Sequence, residues 1–129
     1  MARMLAGGEK PLDRVGSSKR HFLAFPEQVK SEMGYALGVA QLGGKHPAAK
    51  PWHGQEPGVL ELVESHGGNA YRAVYTIRFK EVIYVLHAFQ KKSPSGTKTA
   101  RSDVDLVERR LKAARVDYEE RYGKAKQRR

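Results

Sequence analysis

The chain has no cysteine among its 129 residues, which excludes disulfides, thiolate metal sites and a cysteine nucleophile. No apolar run reaches the ~20 residues that a membrane helix needs. The opening stretch MARMLAGGEKPLDRVGSSKR lacks the continuous apolar core of a secretory signal. These absences suit a cytoplasmic protein with no membrane contact. Acidic residues are scarce, 14 Asp and Glu against 24 Lys and Arg, so the formal net charge is +10. A domain with that balance usually meets a polyanion, nucleic acid first among them. The plainer alternative is that the charge only aids solubility. The five histidines are His21, His46, His53, His66 and His87. None is spaced as a ligand pair on one helix or strand, so neither a metal site nor a cofactor is expected.

What is present begins with Tyr71–Lys92, YRAVYTIRFKEVIYVLHAFQKK. Tyr71–Phe79 and Val82–Gln90 are rich in β-branched and aromatic residues, the mark of strands. Lys80-Glu81 is the polar break between them. A two-residue turn there pairs Phe79 with Val82, Val74 with His87 and Arg72 with Phe89. Tyr71, Ala73, Tyr75, Ile77 and Phe79 then share an apolar face with Gln90, Ala88, Leu86, Tyr84 and Val82. The opposite face gathers Arg72, Val74, Thr76 and Arg78 with Phe89, His87, Val85 and Ile83, and Lys91 extends it. Lys-Glu is not a favoured turn pair, and a one-residue slip would exchange the faces.

Around this hairpin the pattern predicts one α+β domain over residues 10–122, a loose N-terminal tail over 1–9 and a basic, disordered tail over 123–129. A short strand is expected near Leu12–Val15 and a helix through His21–Ala24, capped by Ser17 or Ser18. A second helix starts at Pro26, with Val29, Met33, Ala36, Leu37 and Ala40 as its buried stripe. Gly34 and Gly38 inside it could admit close approach of the preceding helix. Gly43-Gly44 ends it. KHPAAKPWHGQEPG is a loop in which Trp52 anchors to the core, while Lys50 and His53 could reach phosphate. Val59–Glu64 reads as a strand. A final helix from Ser102 carries Val104, Val107, Leu111, Ala114, Tyr118 and Tyr122 on one stripe, which should pack on the sheet. Ser102-x-x-Asp105 is its capping-box candidate. The order is β-α-α-β-β-β-α, with a small, mainly antiparallel sheet.

The cationic hairpin face suits metal-free RNA cleavage. Internal attack by a 2′-OH needs a base, cations for the phosphorane, an acid for the leaving oxygen, and stacking surfaces for bases. Arg72, Lys91 and Lys92 can supply charge, and Phe89 a stacking surface. His87 is the one side chain there that titrates near neutral pH. Arg78, Lys50 and His53 complete the set of candidate RNA contacts. Against this stands the bland alternative: Arg72 and Arg78 as solvated strand residues and His87 as a partly buried sheet histidine.

The run AYRAVYTIRFKEVIYVLHAFQKKSPSG, the helix segment DVDLVERRLKAA, GSSKR, FPEQVKSEMGYALGVAQLG and the KPWHG loop resemble the RelE/HigB superfamily of type II toxins, in its phage-derived branch. The resemblance spans about residues 10–118. It implies a microbial-ribonuclease-like fold and metal-independent cleavage of mRNA on the ribosome. It also implies neutralisation by a helix-turn-helix antitoxin. By the same resemblance Arg72 matches an arginine that contacts the reacting phosphate, and Lys92 falls near a second basic position, with Lys91 adjacent. Better-known members carry lysines on the strand before the hairpin, where this chain has Glu61 and Glu64. The base is thus open between His87 and a glutamate. Some members use a tyrosine near the C-terminus, to which neither Tyr118 nor Tyr122 aligns. The superfamily also includes ParE-type inhibitors of gyrase that cleave nothing, and a catalytically silent prophage relative that binds RNA or protein is a further alternative.

Overall fold

The computed structural model describes residues 8–52, 57–91 and 100–123. The elements run β1 (Leu12–Arg14), α1 (Ser18–Leu23), α2 (Glu27–Gln41), β2 (Lys50–Pro51), β3 (Val59–His66), β4 (Asn69–Thr76), β5 (Ile83–Lys91) and α3 (Arg101–Tyr118). A π-helical turn, Glu119–Gly123, continues α3. The strands form one sheet in the order β1-β5-β4-β3-β2. Only β1 runs parallel to its neighbour, β5. The architecture is the mixed α+β domain expected, with one short additional strand, β2.

The sheet has helices on both faces. Its first core joins Val29, Met33, Ala36, Leu37 and Ala40 of α2 to Leu60, Leu62, Tyr71, Ala73, Tyr75, Ile83, Val85 and Ala88. Those helical positions are the stripe read from the sequence. Its second core joins Val107, Leu111, Ala114 and Tyr118 of α3 to Trp52, Val74, Phe79, Tyr84 and Leu86. Trp52 is thus the anchor expected, and only 2% exposed.

The long hairpin departs from the simple register at one place. Arg72 pairs with Phe89 and Val74 with His87, as the sequence indicates. A bulge between Val74 and Tyr75 then shifts the ladder, so Tyr75 meets Val85 and Thr76 meets Tyr84. An extra residue in one strand reverses the alternation beyond it. Ile83 and Val85 therefore face α1 and α2, not the cationic face. Val82, Tyr84 and Leu86 face α3. The two-residue turn is also absent: β4 ends at Thr76, and Ile77–Val82 form a longer connection. Ile77, expected in the core, is 39% exposed.

Several local expectations are corrected in the helices. A Cβ added at Gly34 or Gly38 would meet nothing within 4 Å, so these glycines serve no close helix approach. α3 begins at Arg101, and no side chain caps its start, so the Ser102–Asp105 capping box does not form. Ser17 does not cap α1 through its side chain either. Instead its hydroxyl accepts a hydrogen bond from Arg110 Nη2 at 2.8 Å, and buried Ser18 donates to the Val85 carbonyl at 3.2 Å. No helix among the described residues is long and apolar enough to cross a membrane.

Candidate functional site

Strand pairing sets the site. Side chains directly opposite one another across an antiparallel ladder share a face. One row therefore runs Lys50, Glu61, Val74, His87, and the next runs Val63, Arg72, Phe89. Lys91, opposite Ala70, continues the same face. This is the face on which α3 packs, and the N-terminal turn of α3 meets it at His87.

Arg72 is not a freely solvated cation. Its Nη1 donates to Glu61 Oε2 at 3.0 Å, and the two side chains are only 12% and 8% exposed. Its Nε is buried, with no hydrogen-bond partner among the described residues. A buried guanidinium needs a counter-charge, and Glu61 on the adjacent strand provides it.

His87 is buried as well. Its Nε2 lies 2.8 Å from Asp103 Oδ1, in the first turn of α3. Burial is the largest influence on the imidazole and lowers its pKa below the usual value near 6.5, with the Asp103 carboxylate opposing and Arg110 and His21 adding to the depression. The ring is thus neutral at neutral pH. A carboxylate only accepts, so the single proton sits on Nε2 and is donated to Asp103. Nδ1 is left with a lone pair and no partner among the described residues. The ring stacks on Phe89 with centroids 4.3 Å apart and planes 18° apart. The expectation of an open, titrating histidine is therefore corrected: α3 covers His87, and its ring supports Phe89.

Arg78 is not brought to this group. It sits in the β4–β5 connection, at the opposite end of β4 from Arg72, and its side chain packs over Gly58, where φ is +91°. Lys50 is exposed on β2, beside Glu61. Lys92 and His53 lie outside the described residues. Tyr118 is buried against Phe79 and donates its hydroxyl to Glu81. That hydrogen bond, with burial second, pushes its pKa up to about 12. Tyr118 thus serves packing.

Residues 20–112 match the family described as phage-derived protein Gp49-like. The chain belongs to that family. The fold of this Gp49-like protein is similar to the E. coli toxin RelE. A double arginine-to-alanine variant of RelE in the free state superposes with a TM-score of 0.56 at 18% identity, over 80% of this chain and 98% of that one. The isolated RelE toxin in a P21 crystal form gives 0.51 at 16% identity, over 78% and 97%. No curated protein sequence matches the chain. The phage-derived family read in the sequence is borne out by that match, and the RelE-like fold by these superpositions.

Sequence reasoning did not find three residues that build the site in this Gp49-like protein. Glu61 stood out only as a departure from lysine, with no sign of its ion pair. Asp103 and Arg110 drew no reading of their own in the sequence. Arg110 in fact donates through Nη1 to the Leu86 carbonyl at 2.9 Å and through Nη2 to Ser17, joining α3 to the bulge and to α1. The one available signal was that Val74 aligns with His87, so a helix packed there had to supply a polar partner.

Proposed function

We propose that the protein is the toxin of a type II toxin–antitoxin pair and cleaves mRNA on the ribosome, without a metal. The observation that carries this reading is the continuous row of Arg72 and Phe89, with Glu61 and Lys50 on one side and Lys91 on the other. It combines a preorganised guanidinium, a carboxylate, flanking lysines and an aromatic face on a rigid sheet. Beyond the Nη1 bound to Glu61 and the buried Nε, Arg72 keeps its Nη2, which can donate to phosphoryl oxygens as charge builds on the phosphorane. Glu61 orients Arg72 and is the carboxylate of this row that can take the 2′-OH proton. Lys91 and Lys50 draw in the backbone, and Phe89, held by the His87 ring, stacks a flanking base. His87 acts as a positioning residue.

A second reading has a specific observation behind it. The Arg72–Glu61 pair already satisfies part of the guanidinium, as it would in a silent relative that binds RNA without cutting it.

Expression without an antitoxin separates the two. Wild-type protein is expected to arrest growth. The paired change Arg72→Gln with Glu61→Gln keeps a hydrogen bond and removes both charges, so the domain should stay folded. Loss of one preorganised cation lowers the rate about a hundredfold, and arrest should disappear. Arrest of equal strength by the folded double variant would contradict the assigned role of Arg72.

A further inference from the structure

β1 pairs with β5 only over Ile83–Val85, so among the described residues the outer edge of β5 beyond that point has no neighbouring strand. There the short helix α1, which packs on β5, and the Ala24–Pro26 link to α2 border a cleft of about 520 Å³. His21, Phe25, Tyr71, His87, Phe89 and Gln90 line it. The walls are largely aromatic. Phe25 and Tyr71 meet edge to face at 5.0 Å, and His87 and Phe89 stack at 4.3 Å. Among the described residues that line it none carries a carboxylate. Arg20, exposed on α1, lies 3.5 Å from the lining His21 ring, and Lys91 follows Gln90 on β5.

An aromatic cleft with imidazole and amide groups inside and Arg20 and Lys91 beside it matches the parts of one nucleotide: a flat base that stacks, and a phosphate next to it. Aliphatic ligands would gain nothing from the ring geometry, and the lining offers a free anion no Lys or Arg among the described residues. The cleft shares Phe89 with the row that holds Arg72 and continues over the outer edge of β5 to Tyr71 and Gln90, which belong to the other face, so a strand of RNA crossing Arg72 reaches it by passing Phe89 at that edge. We propose that this cleft receives one unstacked base of the single-stranded RNA substrate, next to the nucleotide whose phosphate meets Arg72. The inference rests on the RNA-cutting reading above and adds a recognition pocket to it, built by Phe25, Tyr71, His21 and Gln90.

The test compares two fluorescein-labelled, 2′-O-methyl hexanucleotides, one with all its bases and one fully abasic, which carry the same charge and cannot be cleaved by internal attack. Anisotropy at low salt gives their affinities. Ala24 is exposed at the lip, and Ala24→Trp fills the cleft without truncating the core. Stacking one base on aromatic side chains changes affinity about tenfold. The variant should lose about tenfold for the base-containing RNA and keep wild-type affinity for the abasic one. Gln90→Trp, from the opposite lip, repeats the test should Ala24→Trp fail to fold. Unchanged affinity for both oligomers, or equal loss for both, overturns the pocket and leaves the RNA reading standing. No binding of either oligomer by the wild-type protein overturns the RNA reading together with the pocket, and leaves the cleft to a protein segment.

Discussion

At the scale of single residues, the ion pair Arg72–Glu61 carries both stability and the proposed chemistry. Both side chains are buried, so removing one partner strands the other charge. Arg72→Ala is therefore expected to cost about 3 kcal/mol of stability, rather than leave the fold intact as an open-face position would. The double change to glutamines should cost less than the sum of the single changes. Urea unfolding of the four proteins measures this coupling, and strict additivity would show that the two charges do not depend on each other. His87 gives a pH signature. Its pKa is depressed in the folded state, so the unfolded chain takes the proton more readily. Stability from the neutral ring is full above the ordinary pKa near 6.5 and is lost as pH falls through the lower folded value. The groups that face the ring are Asp103 and Arg110 from α3 and His21 from α1. His87→Gln should flatten the stability profile between about pH 6.5 and the acid side, as followed by thermal melts. A profile as steep as that of the wild type would assign the acid loss to other groups.

At the scale of elements, the bulge in β5 explains which parts of the fold were legible. Residues 71–74 and 87–90 follow the period-two pattern, and their pairing could be read from the sequence. Beyond Val74 the apolar pattern was ambiguous, because both faces of the sheet are covered and Ile83–Leu86 of β5 are all apolar. A strand buried on both sides loses the alternation that fixes register. The same double covering hid the site. The chain offers no local sign that Asp103 meets His87 across 16 positions, or that Glu61 meets Arg72 across 11. The α2 stripe was legible because one face of that helix is solvated. Arg110 is the element-scale brace. Arg110→Met keeps the aliphatic stem but removes hydrogen bonds to Leu86 and Ser17, so a loss of about 1–3 kcal/mol is expected. Tyr75 is fully buried, and Tyr75→Ala should cost about 3–5 kcal/mol. Chemical denaturation ranks the two. A larger effect at Arg110 would mean that α3, rather than the sheet, holds the domain together.

At the scale of the whole molecule, the excess of positive charge has two partners to serve under the proposed function. RNA on the ribosome is one, and an antitoxin with acidic patches is the other. Complementary potential speeds encounter and is screened by salt. Stopped-flow association with the antitoxin should slow as salt rises. A constant rate would leave the charge of +10 to RNA alone. Cleavage is read by inducing the protein in cells lacking the antitoxin and mapping the 5′ ends of cellular mRNA. New ends are expected within translated codons, in frame with the ribosomal A site, and none with the Arg72→Gln/Glu61→Gln variant. Intact mRNA together with accumulating double-strand breaks in DNA would contradict cleavage and identify a gyrase poison instead.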